Sequence, residues 1–253
     1  MTKRKTRRLN QQLYHNFSRM MDEDASDPDD KTISSIADFQ GESMFRATLE
    51  EGQRSGENPR MKKFRFQLLH LWLTQNYPPC RVADIGGGKG FLAYLLQTSG
   101  WEAVVIDPVA QSLPEKYKDL TLNRRVKIPP EARVPTITQP FEPHLANGFD
   151  LLVGMHAHAC NVKIIDAAKA YGTGFVLLPC CIIDEPLLPP PGVHWLECLA
   201  DYAIQQGLSV RPFQLNFRGQ NIGFQSLNPP PHPPQSPMFS SFKPQHLCFP
   251  KVN

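Results

Sequence analysis

Four glycines fall within five residues at Gly86-Gly87-Gly88-Lys89-Gly90, directly after the strand-like run 80–85 and directly before the apolar helical run 91–97. A strand that breaks into a glycine turn and re-enters as a helix leaves helix amides unpaired at the turn, and glycines let a ligand approach them closely. This unit recurs in open sheets covered by helices, where ligands settle at the carboxyl ends of the strands. Upstream, Pro59 suits a first helical turn, and Phe64, Leu68, Leu71 and Trp72 follow at helical spacing until Pro78-Pro79. Downstream, Gly100 suits the helix C-terminus, and a second apolar strand at 103–106 ends at Asp107-Pro108.

The rest of the chain repeats this alternation. A strand is expected at 149–153, a helix at 161–170 stopped by Gly172 and Gly174, and a strand at 175–178. A helix at 193–206 stopped by Gly207 follows, then strands around 208–215 and 222–227 joined by a turn through Arg218-Gly219. The last two have no helix between them and read as an antiparallel hairpin. Residues 108–147 are proline-rich and offer one short strand within 134–138. The expected class is α/β, a doubly wound sheet with helices on both faces.

Composition sets the boundaries. The 253 residues suit one medium domain with tails, and 41% hydrophobic against 20% charged residues suits a buried core. Proline is high, 25 residues against a usual share of about 5%, and it concentrates in loops and ends. Residues 1–8 carry five bases and residues 22–30 six acids, so 1–57 reads as a charged, largely flexible arm with a short helix at 9–21. Residues 228–253 hold eight prolines with little periodicity and read as a disordered tail, leaving 58–227 as the domain. No run approaches ~18 apolar residues, which excludes a membrane-spanning helix. The charged N-terminus, followed by no apolar run, argues against a secretory signal. Six cysteines without such a signal read as reduced thiols in the cytoplasm.

The glycine spacing narrows the ligand. A dinucleotide site wants Gly-x-Gly-x-x-Gly, but position 91 is Phe91, and a phosphate loop wants Ser or Thr after Lys89-Gly90. Asp84, two residues before the first glycine, repels pyrophosphate and favours a cation. S-adenosylmethionine carries a sulfonium and an ammonium and no phosphate. Asp107 ends the second strand 17 residues after Gly90, where a carboxylate can accept hydrogen bonds from both ribose hydroxyls.

On Asp84-Ile-Gly-Gly-Gly-Lys-Gly90, Asp107 and the closing strand pair, residues 58–227 resemble the class I S-adenosylmethionine-dependent methyltransferases. The resemblance implies a Rossmann-like, seven-stranded, mostly parallel sheet whose last strand is antiparallel. It implies that Asp84, Gly86, Gly88 and Gly90 hold the methionine moiety and that Asp107 holds the ribose. A narrower resemblance rests on Met155-His156-Ala157-His158-Ala159-Cys160 and Pro179-Cys180-Cys181. These are similar to the Leu-His-Ala-Cys-Gly and Cys-Cys motifs of a group that includes tRNA ribose 2′-O-methyltransferases. The chain departs from that group at His158 and Ala159, and no zinc-finger segment stands beside the domain.

His156, His158, Cys160, Cys180 and Cys181 follow strands expected to be neighbours. Four readings fit them. Cys180 and Cys181 are small buried residues behind the cofactor, or line the substrate site. His156 binds the acceptor or takes its proton, as a neutral imidazole can. One of the paired cysteines attacks a pyrimidine ring. Or the cluster binds zinc, against which stand the crowded His-x-His-x-Cys spacing and the lack of a CxxC, so no metal is expected.

Three acceptor classes remain. RNA, and tRNA in particular, is suggested by Lys3, Arg4, Lys5, Arg7 and Arg8 in the arm and by Arg60, Lys62 and Lys63 before the first helix. A small molecule is suggested by the net charge of only +3 and by no recognisable RNA-binding module. A binding protein that keeps the cofactor site without turnover is the third.

Overall fold

The computed structural model describes residues 60–191 and 193–227. The arm 1–57, with its expected helix and the bases Lys3 to Arg8, and the tail 228–253 lie outside the described residues.

The described residues form nine strands and four α-helices. β1 (Arg81–Ile85), β6 (Leu151–Met155) and β7 (Gly174–Leu178) form the centre of the sheet and are covered on both faces. Burial on both faces is why β6 and β7 read as continuous apolar runs instead of alternating ones. The main sheet has seven strands in the order β5-β2-β1-β6-β7-β9-β8, completed by β2 (Glu102–Ile106), β5 (Thr136–Ile137), β8 (Val210–Gln214) and β9 (Ile222–Ser226). All pairings run parallel except those of β9, which is antiparallel to both β7 and β8.

Successive side chains of each strand enter different cores. From β7, Phe175 and Leu177 pack with α3 (Asn161–Tyr171) and α4 (Trp195–Gln205), while Val176 and Leu178 face the other side. There they join α1 (Arg65–Asn76) and α2 (Phe91–Thr98) through Leu69, Leu73, Leu92 and Leu96. The buried face of α1 is Leu69, Trp72 and Leu73, with Leu68 and Leu71 half-buried. The sequence spacing favoured Leu68 and Leu71; stacking of Trp72 on Phe213 at 4.0 Å turns the helix.

Residues 108–147 hold more than one strand. β3 (Lys116–Lys118) and β4 (Arg125–Lys127) make a separate antiparallel hairpin, and the expected strand near 134–138 is the two-residue β5. Asp119 closes the hairpin, its Oδ1 accepting the Thr121 and Leu122 amides at 2.8 and 2.9 Å. No helix among the described residues is long and apolar enough to cross a membrane.

Candidate functional site

The strand order reverses between β1 and β6, and two adjoining cavities open at the carboxyl ends of the strands there. They share Gly86 and His156. The smaller, about 410 Å³, is walled by Ile106, Asp107, Pro108, Pro140, Phe141 and the loop 156–160. The larger, about 670 Å³, lies between the glycine loop, residues 63–67 and the β3–β4 hairpin.

Asp84 sits beneath the glycine loop at 2% exposure, and its Oδ2 has no hydrogen-bond partner. Burial raises its carboxyl to about 7, opposed by the Ala93 amide in the first turn of α2 and aided by the Asp107 charge. Gly87 allows this cover, since a Cβ there would stand 2.5 Å from Asp84 Oδ2. Gly86 and Gly88 adopt left-handed φ values of +64° and +54°, which turn the loop along the cavity floor. A Cβ on Gly90 would come 3.2 Å from Val105 Cγ2, so Gly90 packs α2 onto β2 and borders neither cavity. Gly87, absent from the sequence-derived candidates, does border the larger one.

Asp107 follows β2 directly. Its Oδ2 accepts the Gly88 amide at 2.9 Å and its Oδ1 the Val109 amide at 2.8 Å. One carboxylate thus ties the glycine loop to the β2 terminus, and each oxygen keeps a second lone pair.

His156 follows β6 with a φ of +57°, an uncommon conformation for a residue with a side chain. Its backbone amide donates to Leu178 O at 3.1 Å, while both ring nitrogens are buried without a partner. Burial, and then the charges of Lys62, Arg65 and His158, push the imidazole down to about 4, so it is neutral at neutral pH. Strain and an unpaired polar ring at a cleft wall are features that functional sites retain.

The five His and Cys candidates do not all meet. His158 Nε2 lies 3.5 Å from Cys180 Sγ and 3.6 Å from Cys181 Sγ, and the two sulfurs are 3.4 Å apart. Burial and then Cys181 raise the Cys180 thiol to about 11. Cys160 stands apart at the start of α3, its thiol raised to about 11 by burial and then by Glu185.

Glu185 escaped the sequence reading. Its buried carboxylate accepts the Asn161 amide at 2.9 Å, Asn161 Nδ2 at 2.6 Å and the Val162 amide at 3.2 Å, capping α3 from 24 residues away. This clamp fastens the loop after β7, with Cys180 and Cys181, to the loop after β6. A cap supplied from so far along the chain leaves no local pattern to read.

The walls of the larger cavity carry Lys63, Arg65, Lys89, Lys116, Lys118 and Arg125 and no acidic side chain. Phe64, Phe66, Phe91 and Tyr117 lie among them, with the Arg65 guanidinium 4.3 Å from the Phe66 ring centroid. Arg60, Lys62 and Lys63 precede α1 as expected. That segment is held over the cleft by the Arg60 amide on Asn216 O at 3.2 Å and the Arg218 amide on Arg60 O at 2.9 Å.

A seven-stranded sheet with only its last strand reversed, and a cleft at the carboxyl ends of β1, β2 and β6, is the class I methyltransferase fold. No family model matches the chain. A probable tRNA (uracil-O(2)-)-methyltransferase of Caenorhabditis elegans is 32% identical over 104 residues, covering 41% of this chain and 17% of that protein. One of the same description from Drosophila melanogaster is 26% identical over 118 residues, covering 45% of this chain and 20% of that protein. The similarity therefore spans at most about a fifth of these curated relatives' length. Among solved structures, magnesium protoporphyrin IX methyltransferase from Synechocystis PCC 6803 with bound SAM aligns with a TM-score of 0.42 at 14% identity, covering 64% of this chain and 76% of that one.

Proposed function

We propose that the protein transfers a methyl group from S-adenosylmethionine to RNA, with tRNA as the acceptor. The β3–β4 hairpin carries this reading. It sets Lys116 opposite Lys127 and Lys118 opposite Arg125, like charges directly across a strand pair. Such pairs destabilise a hairpin. A polyanion laid against them reverses the sign of that interaction, and the aromatic rings between the cations offer faces for unstacked bases. The two relatives' names supply tRNA as the RNA class. The described cysteines are all free, which suits the cytoplasm as the place of reaction.

The residues present fit the donor. A buried carboxylate oxygen without a partner, Asp84 Oδ2, lies under a loop with room for a ligand above Gly88, whose added Cβ would have only Gln111 Nε2 near it, at 3.6 Å. Asp107 has lone pairs left for ribose hydroxyls, and Ile106, Phe141 and the neighbouring prolines give the smaller cavity apolar walls suited to a purine. When bound, the donor supplies a methyl group on a positively charged sulfur. The protein's task is to hold acceptor and methyl carbon in line at about 3–3.5 Å and to exclude water. Transfer of that methyl group to a hydroxyl would leave the donor as a neutral thioether and would require the acceptor's proton to be taken up. His156, a neutral imidazole at the wall shared by both cavities with its ring nitrogens unpartnered, would orient the hydroxyl and take up this proton once the acceptor reaches it. Cys180 and Cys181, read from the sequence as substrate-binding candidates, line neither cavity and meet the cleft only through His158.

The test is labelled donor supplied with whole-cell RNA, protein and metabolite pools. Label in tRNA, with binding that weakens steeply as salt rises, is the expected outcome. Label confined to the metabolite pool assigns a small-molecule acceptor. Donor binding without transfer to any pool assigns a binding protein.

A further inference from the structure

We infer that His158, Cys180 and Cys181 form a binding site for a thiophilic divalent cation, Zn²⁺, at the rim of the cleft. Among the described residues these three side chains are the ones whose metal-binding atoms converge, all within 4.8 Å of one another. The triangle has edges of 3.4, 3.5 and 3.6 Å. Tetrahedral zinc bonded to sulfur at about 2.3 Å and to nitrogen at about 2.0–2.1 Å needs about 3.5 Å between nitrogen and sulfur and about 3.8 Å between two sulfurs. The two nitrogen–sulfur edges already have that length, and the sulfur–sulfur edge needs to open by only about 0.4 Å. Two thiolates and an imidazole are a soft donor set that favours zinc over magnesium or calcium.

The ligands are held in place before any ion arrives. They come from two loops, after β6 and after β7, and the Glu185 carboxylate bolts the second loop onto the helix that follows the first. His158 also lines the smaller cavity, so the ion borders the cleft. Three protein ligands leave a fourth position for water or an incoming group. Binding forms two zinc–sulfur bonds, and the thiol protons pass to the buffer. Along the chain the His-x-His-x-Cys spacing is crowded for a metal and no CxxC occurs. The three ligands meet through space instead, and neither Cys160 nor His156 takes part.

The experiment titrates Zn²⁺ into the reduced, metal-free full-length chain against a chromophoric chelator. One equivalent bound below micromolar is expected. Cys180→Ser, Cys181→Ser and His158→Ala should each weaken binding more than about 100-fold, since losing even an outer-shell partner costs about tenfold to a hundredfold. Cys160→Ser should bind like the parent. Co²⁺ added to the unmodified chain should give a thiolate-to-cobalt charge-transfer band and tetrahedral visible bands, a readout that needs no variant to fold. Absence of binding and of the cobalt band overturns the site and leaves a thiol–imidazole hydrogen-bond cluster. Stoichiometric binding that survives the Cys180→Ser/Cys181→Ser double variant also overturns it, because the metal then sits elsewhere.

Discussion

The floor and the rim of the cleft are built in different ways. The floor runs from Asp84 through the glycine loop to Asp107, 24 contiguous residues that make one strand–turn–helix–strand unit. Its polar contacts are short-range, as when Asp107 holds the amides of Gly88 and Val109. The rim gathers residues 63–67, the 116–127 hairpin and the loop after β6, with the loop after β7 joined to it by Glu185 and by the contacts of Cys180 and Cys181 with His158. Its clamps cross long stretches of chain, such as Glu185 on Asn161 and Arg60 against residues 216–218. A site built locally can be moved as a unit and keep its ligand. A site gathered from remote segments can change acceptor by changing one loop, so the floor should define the donor and the rim the acceptor.

Four measurements test that division. His156→Ala should lower turnover by about 100-fold or more, the usual worth of a positioned proton acceptor, with donor affinity unchanged. An equal loss of donor affinity would merge floor and rim into one site. Asp107→Ala should weaken donor binding by about 3 kcal/mol, or ~100-fold, because charge-assisted hydrogen bonds contribute about 1.5–3 kcal/mol each and the Gly88 tether goes with them. Calorimetry reads this directly, and unchanged affinity would remove the ribose assignment. Lys116→Glu with Arg125→Glu should weaken tRNA binding about tenfold and flatten its salt dependence by the share of about two phosphate contacts. Donor binding should not change; if it falls too, the hairpin belongs to the floor.

The smallest effect is in pH. Asp84 has its carboxyl raised to about 7. In the ligand-free protein this group adds stability below its unfolded value near 4, and that contribution is lost as pH rises through about 7. A cationic donor favours the ionised form. The thermal shift on adding donor should therefore grow between pH 6 and 8 by up to about tenfold in affinity. Asp84→Asn should abolish the pH dependence, and a shift that is flat in the parent protein would deny the carboxylate any hold on the donor.

Legibility followed the same line. The strand–glycine–helix unit, Asp107, the helices at 161–171 and 195–205 and the reversed closing strand could be read because apolar periodicity and glycine stops are local. The β3–β4 hairpin was missed although Lys116-Tyr-Lys118 and Arg125-Val-Lys127 alternate around an Asp119 turn, because three-residue strands among prolines carry little apolar signal. Gly90 packs α2 onto β2, while Gly87 borders the cleft. Their spacing is alike on paper, and only the position of Val105 and of Asp84 decides which glycine packs and which faces the cleft.

Alternation of buried strands and helices along the chain, with glycines where the backbone must turn, determined the sheet, the position of the cleft and the charge of its floor. Those are nearest-neighbour effects, decided by backbone conformation and burial. Which of the five histidines and cysteines meet, what caps α3, and that six cations enclose one cavity were decided only in three dimensions. Side chains tens of residues apart acquire their distances from the packing of whole elements, and no stretch of sequence encodes that alone.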